Sequence, residues 1–171
     1  RVAIRRWWGG ADVLATLCTW GWVGTGQGTM MWRMAEGGHE FASTGWDHAR
    51  GLTMDASAFA DDLARTRAVL EDTTGQRVTG YRAPSFSIDK RNLWAFDSLR
   101  DAGYVYSSSV YPVHHDHYGM PDAPRFPYSS TPGLTEIPIS TVRAGNRNIP
   151  IGRGGYFRLL PYVASRHATP R

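Results

Sequence analysis

The chain has 171 residues, 42% apolar and 20% charged, with a formal net charge of +4; this suits one globular domain with a real core and excludes global disorder. The positive charge is almost all arginine, Lys90 being the single lysine, and it runs from Arg1 to Arg171 with no patch or stripe of the kind nucleic-acid binding needs. No apolar run reaches the ~18 residues of a membrane-spanning helix, and Cys18, the one cysteine, can build neither a disulfide framework nor a cysteine-rich zinc site within the chain.

The first forty residues are rich in tryptophan and glycine: Trp7, Trp8, Trp20, Trp22 and Trp32 fall here, with Gly21, Gly24, Gly26 and Gly28. Neither the helical nor the strand period is clear, apart from a predicted strand at 15–23 and a helix at 30–36 stopped by Gly37 and Gly38. RVAIRRWWGG at the start has charge but no apolar segment after it, so it does not read as a signal peptide. With the lone cysteine, which fits a reducing compartment, this leans the expected location toward the cytoplasm. The chain starts on arginine and stops abruptly at Thr169-Pro170-Arg171, so it is expected to be a fragment.

From Asp55 the pattern sharpens. Asp55 or Ser57 can cap a helix running to about residue 71, with Phe59, Leu63, Thr66 and Leu70 on one face, Ala56 and Ala60 beside them, and Asp61, Asp62, Arg65 and Arg67 elsewhere on the surface. Residues 78–82 read as a short strand running into Ala83 and Pro84. A second helix is expected over 91–102, with Leu93, Phe96 and Leu99 inward and Gly103 just past its end. Residues 104–107 form the next strand, 114–127 a loop, 134–139 and 148–151 two more strands, 152–155 a glycine turn and 157–165 a last helix. Helix and strand in alternation with short links predict an α/β fold with parallel strands and crossover helices.

Four groups of residues could carry chemistry. In ASTGWDHAR (42–50), Asp47 and His48 stand near Thr44 and His39. Neutral imidazole is a common zinc ligand, yet one histidine and a neighbouring aspartate fit a surface turn as well. Arg82 sits at the carboxyl end of a strand, where sites gather in parallel α/β folds, and can hold a carboxylate or pair with any acidic neighbour. Ser107, Ser108 and Ser109 also end a strand, but without a glycine-serine elbow they read as turn serines. His114, His115, Asp116 and His117 are metal-ligand types on a loop that does not fix their geometry. The turn at 152–155 lacks the lysine and hydroxyl of a phosphate loop.

Taken together, GHEFASTGWDHAR, TGQRVTGYRAPSFSI, LWAFDSLRDAGYVYSSSVYP, HDHYGMPDAPRFP and GGYFRLLPY resemble the polysaccharide deacetylases of the NodB-homology group, in the branch tied to exopolysaccharide and exosortase systems. The resemblance runs over 34–162, and 1–33 match poorly although TLCTWGWV is similar to a family strand. It implies one partial domain over 1–171 with an incomplete distorted (β/α) barrel, hydrolysing N-acetyl groups on an acetylated amino-sugar polysaccharide with the help of a divalent metal such as zinc. The family holds its ion with an Asp-His-His triad, uses a carboxylate as base and a late histidine as acid.

Matched position by position, His48 resembles the second metal histidine and Thr44 stands in the place of the first. Arg82 resembles the arginine that orients the base. Pro84 and Phe86 would line the groove, Trp46 could stack on sugar, Ser107 replaces an aspartate of the branch, and Asp116 and Tyr118 lie in its HD-x-YG loop. The strand with the base and metal aspartate, and the motif with the acid histidine, have no counterpart. The resemblance therefore implies an impaired deacetylase, with a non-catalytic carbohydrate-binding remnant or a truncated or frameshifted product as alternatives. It says nothing of oligomeric state.

Overall fold

The computed structural model describes residues 13–49, 53–115 and 119–151. The first described residues form three βα units: β1 (Thr16–Thr19) and α1 (Gly21–Glu36), β2 (Glu40–Ser43) and α2 (Ala56–Thr74), β3 (Gly80–Tyr81) and α3 (Trp94–Asp101), with a 3-10 turn at Pro84–Phe86 between the last two. Then come β4 (Tyr106–Ser107), β5 (Tyr128–Thr131), β6 (Leu134–Glu136) and a separate hairpin of β7 (Thr141–Ala144) and β8 (Arg147–Pro150). The main sheet runs β1-β2-β3-β4-β6-β5; every pair is parallel except β5 with β6. Parallel neighbours need crossovers, and α1, α2 and α3 supply them.

α2 follows the sequence reading closely. Asp55 caps it by accepting from the Ala58 amide at 2.8 Å, and Gly75 ends it in the left-handed region at φ +67. Phe59, Leu63, Thr66 and Leu70 are buried, whereas Ala56 and Ala60 are exposed, because the buried stripe is one residue wide where α2 enters the core. Asp62 and Arg67 are half-buried rather than on the open surface. Arg67 donates to the Ala102 carbonyl and pairs with Glu71 at 3.0 Å, so it ties α2 to the end of α3. α3 starts at Trp94, later than expected; Leu93 precedes it and is 46% exposed, while Phe96 and Leu99 are buried.

The largest departure is α1. The strand expected over 15–23 ends at Thr19, and a helix of sixteen residues with non-helical dihedrals at Gln27 replaces the short one expected at 30–36. Four glycines disfavour such a helix locally. Packing outweighs them: a Cβ on Gly24 would lie 2.9 Å from Val69 of α2, and one on Gly21 would lie 2.5 Å from Trp46. Gly21 and Gly24 let α1 approach Trp46 and α2 more closely than any larger residue would allow. Two short strands, β5 and β7, fall where no strand was expected, and the expected strands at 134–139 and 148–151 shorten or shift to β6 and β8. The helix and glycine turn expected over 152–165 lie outside the described residues.

Alternation along the strands gives the sheet two unlike faces. Phe41, Tyr81 and Leu134 join Phe59, Leu63, Leu70, Phe96 and Leu99 in a core on the helix side. The opposite face is polar. There Thr16, Cys18, Glu40, Arg82, Tyr106 and Ser108 line an open cleft. Glu40 accepts from the Thr16 hydroxyl at 2.6 Å and the Tyr106 hydroxyl at 2.7 Å. Burial pushes the Cys18 thiol up, so it is no activated nucleophile.

Candidate functional site

The carboxyl ends of β2, β3 and β4 meet at one edge of the polar face. The loop leaving β2 is held from several sides. Gly21 and Trp22, at the amino end of α1, donate their amides to the carbonyls of Gly45 and Trp46 at 3.0 and 3.2 Å. The Asp62 carboxylate of α2 accepts from the Trp46 amide at 3.1 and 3.3 Å. Arg65 lays its guanidinium 3.5 Å from the centre of the Trp46 ring. One face of that ring is therefore already in use. Asp47 accepts from the Ala49 amide at 3.1 Å, a local turn. Burial pushes the Asp62 carboxyl up, against the pull of the Trp46 amide, and the Asp47 charge adds to the rise while Arg65 opposes it.

Within this loop Thr44 is buried and His48 is exposed. The Thr44 hydroxyl donates to the Arg82 carbonyl at 2.6 Å, bridging the ends of β2 and β3. His48 has φ +66, and its ring lies 5.2 Å from that of Trp20, which in turn is 5.8 Å from Trp22. His39, at the other end of β2, accepts from the Ala15 amide through Nδ1 at 3.2 Å. Among the described residues, His48, Ser85 and Phe86 are the non-glycine residues with positive φ, and all three lie on loops at this edge. Such strain tends to gather at functional sites.

Arg82 reaches across to the end of β4. Its Nε donates to the Ser108 carbonyl at 3.2 Å and its Nη2 to the Ser108 hydroxyl at 2.9 Å. The Ala83 amide donates to the Ser109 hydroxyl at 2.9 Å, which also accepts from Ser107 at 2.8 Å. The serines are thus more than turn formers: they lock β3 to β4. Pro84 is buried, and Phe86 stacks on Tyr111 at 5.3 Å within a small second core that holds Val113 and Ile139. Asp116, His117 and Tyr118 lie outside the described residues, and His114 and His115 are exposed.

Sequence reading passed over two carboxylates. One is Asp62, which clamps the β2 loop; its signal was only its place on α2 between Phe59 and Leu63. The other is Glu136, which ends β6 opposite Ser107 and is 0% exposed. Burial pushes its carboxyl up, while the neighbouring Ser107 hydroxyl, the Val110 and Ser109 amides and the Arg82 charge pull it down. A raised carboxyl binds its proton more tightly in the folded than in the unfolded chain. The wild type therefore loses stability as the pH climbs through the window above the ordinary value of 4.5. Glu136→Gln lacks that loss. Its stability relative to wild type is expected to improve steadily with pH in urea titrations at a series of pH values; a flat difference would contradict this.

A zinc-like ion needs several imidazole, thiolate or carboxylate donors converging on one point. Among the described residues no three or more of His, Cys, Asp and Glu converge in this way. The Thr44 hydroxyl gives its proton to a backbone carbonyl, and His48 packs on Trp20. The described residues do not fit such an ion.

The family model for polysaccharide deacetylases matches residues 10–107, more than half of the chain, and a domain of unknown function, DUF3473, matches 108–171. The chain belongs to the polysaccharide deacetylase family. No curated protein matches it significantly. Among solved structures, a candidate polysaccharide deacetylase from Mycobacterium smegmatis is 24% identical with a TM-score of 0.62, over 78% of this chain and 43% of that one. A CE4 family pseudoenzyme from Bacillus anthracis is 19% identical with a TM-score of 0.56, over 64% and 38%. A mutant of that pseudoenzyme with restored enzymatic activity has the same TM-score at 20% identity, over 64% and 39%. A peptidoglycan N-acetylglucosamine deacetylase is 19% identical with a TM-score of 0.51, over 61% and 48%. At these identities the likeness is one of fold: the deacetylase sheet and helices are an arc of a distorted (β/α) barrel. The chain spans less than half the length of each of these structures. No helix among its described residues is long and apolar enough to cross a membrane.

Proposed function

We propose that this deacetylase chain binds an acetylated amino-sugar polymer, an exopolysaccharide, and is impaired in hydrolysing it. The observation that carries the impairment is Thr44, whose buried hydroxyl is committed to the Arg82 carbonyl where the family places an imidazole. A neutral hydroxyl is a poor donor to a zinc-like ion, and His48 by itself makes a weak site. The family includes a fold relative described as a pseudoenzyme, so loss of activity on this scaffold has a precedent.

Binding draws on different residues. Trp20 and Trp22 are 36% and 48% exposed beside the loop that leaves β2, and their rings can stack on the apolar faces of sugars. By the family resemblance Trp46, Pro84 and Phe86 are the residues expected to line the groove, and Asp116 and Tyr118 belong to the loop expected to border it. Arg82 is the family's base-orienting arginine; its guanidinium faces the cleft beside Ser108.

Titrating the chain with a chitooligosaccharide while assaying released acetate tests both halves. Binding with a Kd on the order of 1 mM, weakened about tenfold by Trp20→Ala, with no acetate above the buffer blank, is expected. Acetate release that tracks protein concentration would overturn the impairment. Absence of any binding heat at ligand well above that Kd would overturn the binding role.

A further inference from the structure

Glu136 is fully buried, yet only half of its carboxylate is used. Oε1 accepts the amides of Ser109 and Val110, each at 2.8 Å. Oε2 has no hydrogen-bond partner among the described residues. A buried acceptor left in this state lowers stability. Something other than packing explains an acid at this position.

What Oε1 holds points to the reason. The two amides belong to the turn where the chain leaves β4. That turn carries Ser108, which accepts from Arg82 Nε and Nη2, and Ser109, which accepts from the Ala83 amide. Glu136, the serine turn and Arg82 thus form one continuous hydrogen-bonded path from the far side of the sheet to its polar face. The path crosses from β6 through β4 to β3, the three strands paired side by side. No other described element fixes the guanidinium: both of its hydrogen bonds end on Ser108.

We propose that Glu136 is a positioning residue, whose carboxylate fixes the turn from Ser108 to Val110 and through it the direction of the Arg82 guanidinium. The carboxylate touches neither the cleft nor any ligand there. Its effect is transmitted by the Ser109 and Val110 amides, and it holds whether or not the chain turns over an acetylated sugar.

The Arg82 Nε–H reports this directly. Its 15N resonance in the full chain is assigned by its disappearance in Arg82→Lys, and its exchange with solvent is then followed. Glu136→Ala is expected to speed that exchange about tenfold, through loss of two charge-assisted bonds to the turn. Glu136→Gln keeps an oxygen at the Oε1 place and should stay within about twofold of wild type. Leu134→Ala damages the same strand by opening a cavity without touching the turn, and should also stay within about twofold. If Glu136→Ala does not fold, Glu136→Asp keeps the charge but shortens its reach by one methylene, and it should loosen the Nε–H in the same way. Unchanged exchange in the Ala or Asp variant would overturn the proposal. So would Leu134→Ala speeding exchange as much, since that would make the effect one of general stability.

Discussion

Thr44→His is expected to raise the zinc affinity of the chain by about a hundredfold. Structural zinc sites bind with roughly 10–16 kcal/mol shared among about four ligands, so one added imidazole is worth on the order of 3 kcal/mol. The local geometry favours the change in one respect. Metal-bound histidine commonly gives its second N–H to a backbone carbonyl, which fixes the ring. The Arg82 carbonyl, now 2.6 Å from the Thr44 hydroxyl, stands ready as that acceptor. Isothermal titration with zinc chloride on both chains measures the difference. Equal, weak heats from both would mean that positions 44 and 48 cannot share an ion in this chain. Tight binding by the wild type would mean that the donors lie elsewhere, with His114 and His115 the first to replace.

Phe59→Ala is expected to destabilise the fold by about 3–5 kcal/mol, a large share of the roughly 5–15 kcal/mol that holds a domain together. Phe59 is 1% exposed. It meets Tyr81 of β3 edge to face at 5.9 Å and Trp94 of α3 at 5.7 Å, and Tyr81 in turn meets Tyr104 at 5.7 Å. This chain of rings joins α2, β3 and α3, and β3 runs directly into Arg82. Removing its centre leaves a cavity that three rigid rings cannot close. Urea unfolding of the two chains, followed by tryptophan fluorescence, gives the difference. A loss below about 1 kcal/mol would show that the core collapses to refill the space.

The parts of the site that could be read in advance are those that depend on residue type and order. The family motifs single out Thr44, His48, Arg82, Pro84 and Phe86, and the fold brings Thr44 and Arg82 into direct hydrogen-bond contact. The roles of Asp62, which reads as a surface residue in sequence, and of Glu136 are hidden for a physical reason. Each acts on a residue far away in sequence, Asp62 on Trp46 and Glu136 on Ser109 and Val110. An acid on a helix or at a strand end looks alike in sequence whether it faces water or a turn. The same holds for Gly21 and Gly24 of α1, which showed no helical period in sequence and make sense only with Trp46 and α2 beside them.

What the amino-acid order alone determined is local or repetitive. It set the amphipathic stripe of α2 with its Asp55 cap and Gly75 stop, the alternation of helix and strand that demands a parallel sheet, and the family motifs. The tertiary structure decided the rest: a glycine-rich helix where propensity argues against one, a Trp46 ring engaged by Arg65, and a buried acid that directs an arginine through a serine turn. Local propensities differ by at most about 1 kcal/mol per residue for all but proline, whereas a buried contact or an unpaired buried carboxylate carries more than that. Wherever the two disagree, packing and hydrogen bonding between distant segments set the outcome.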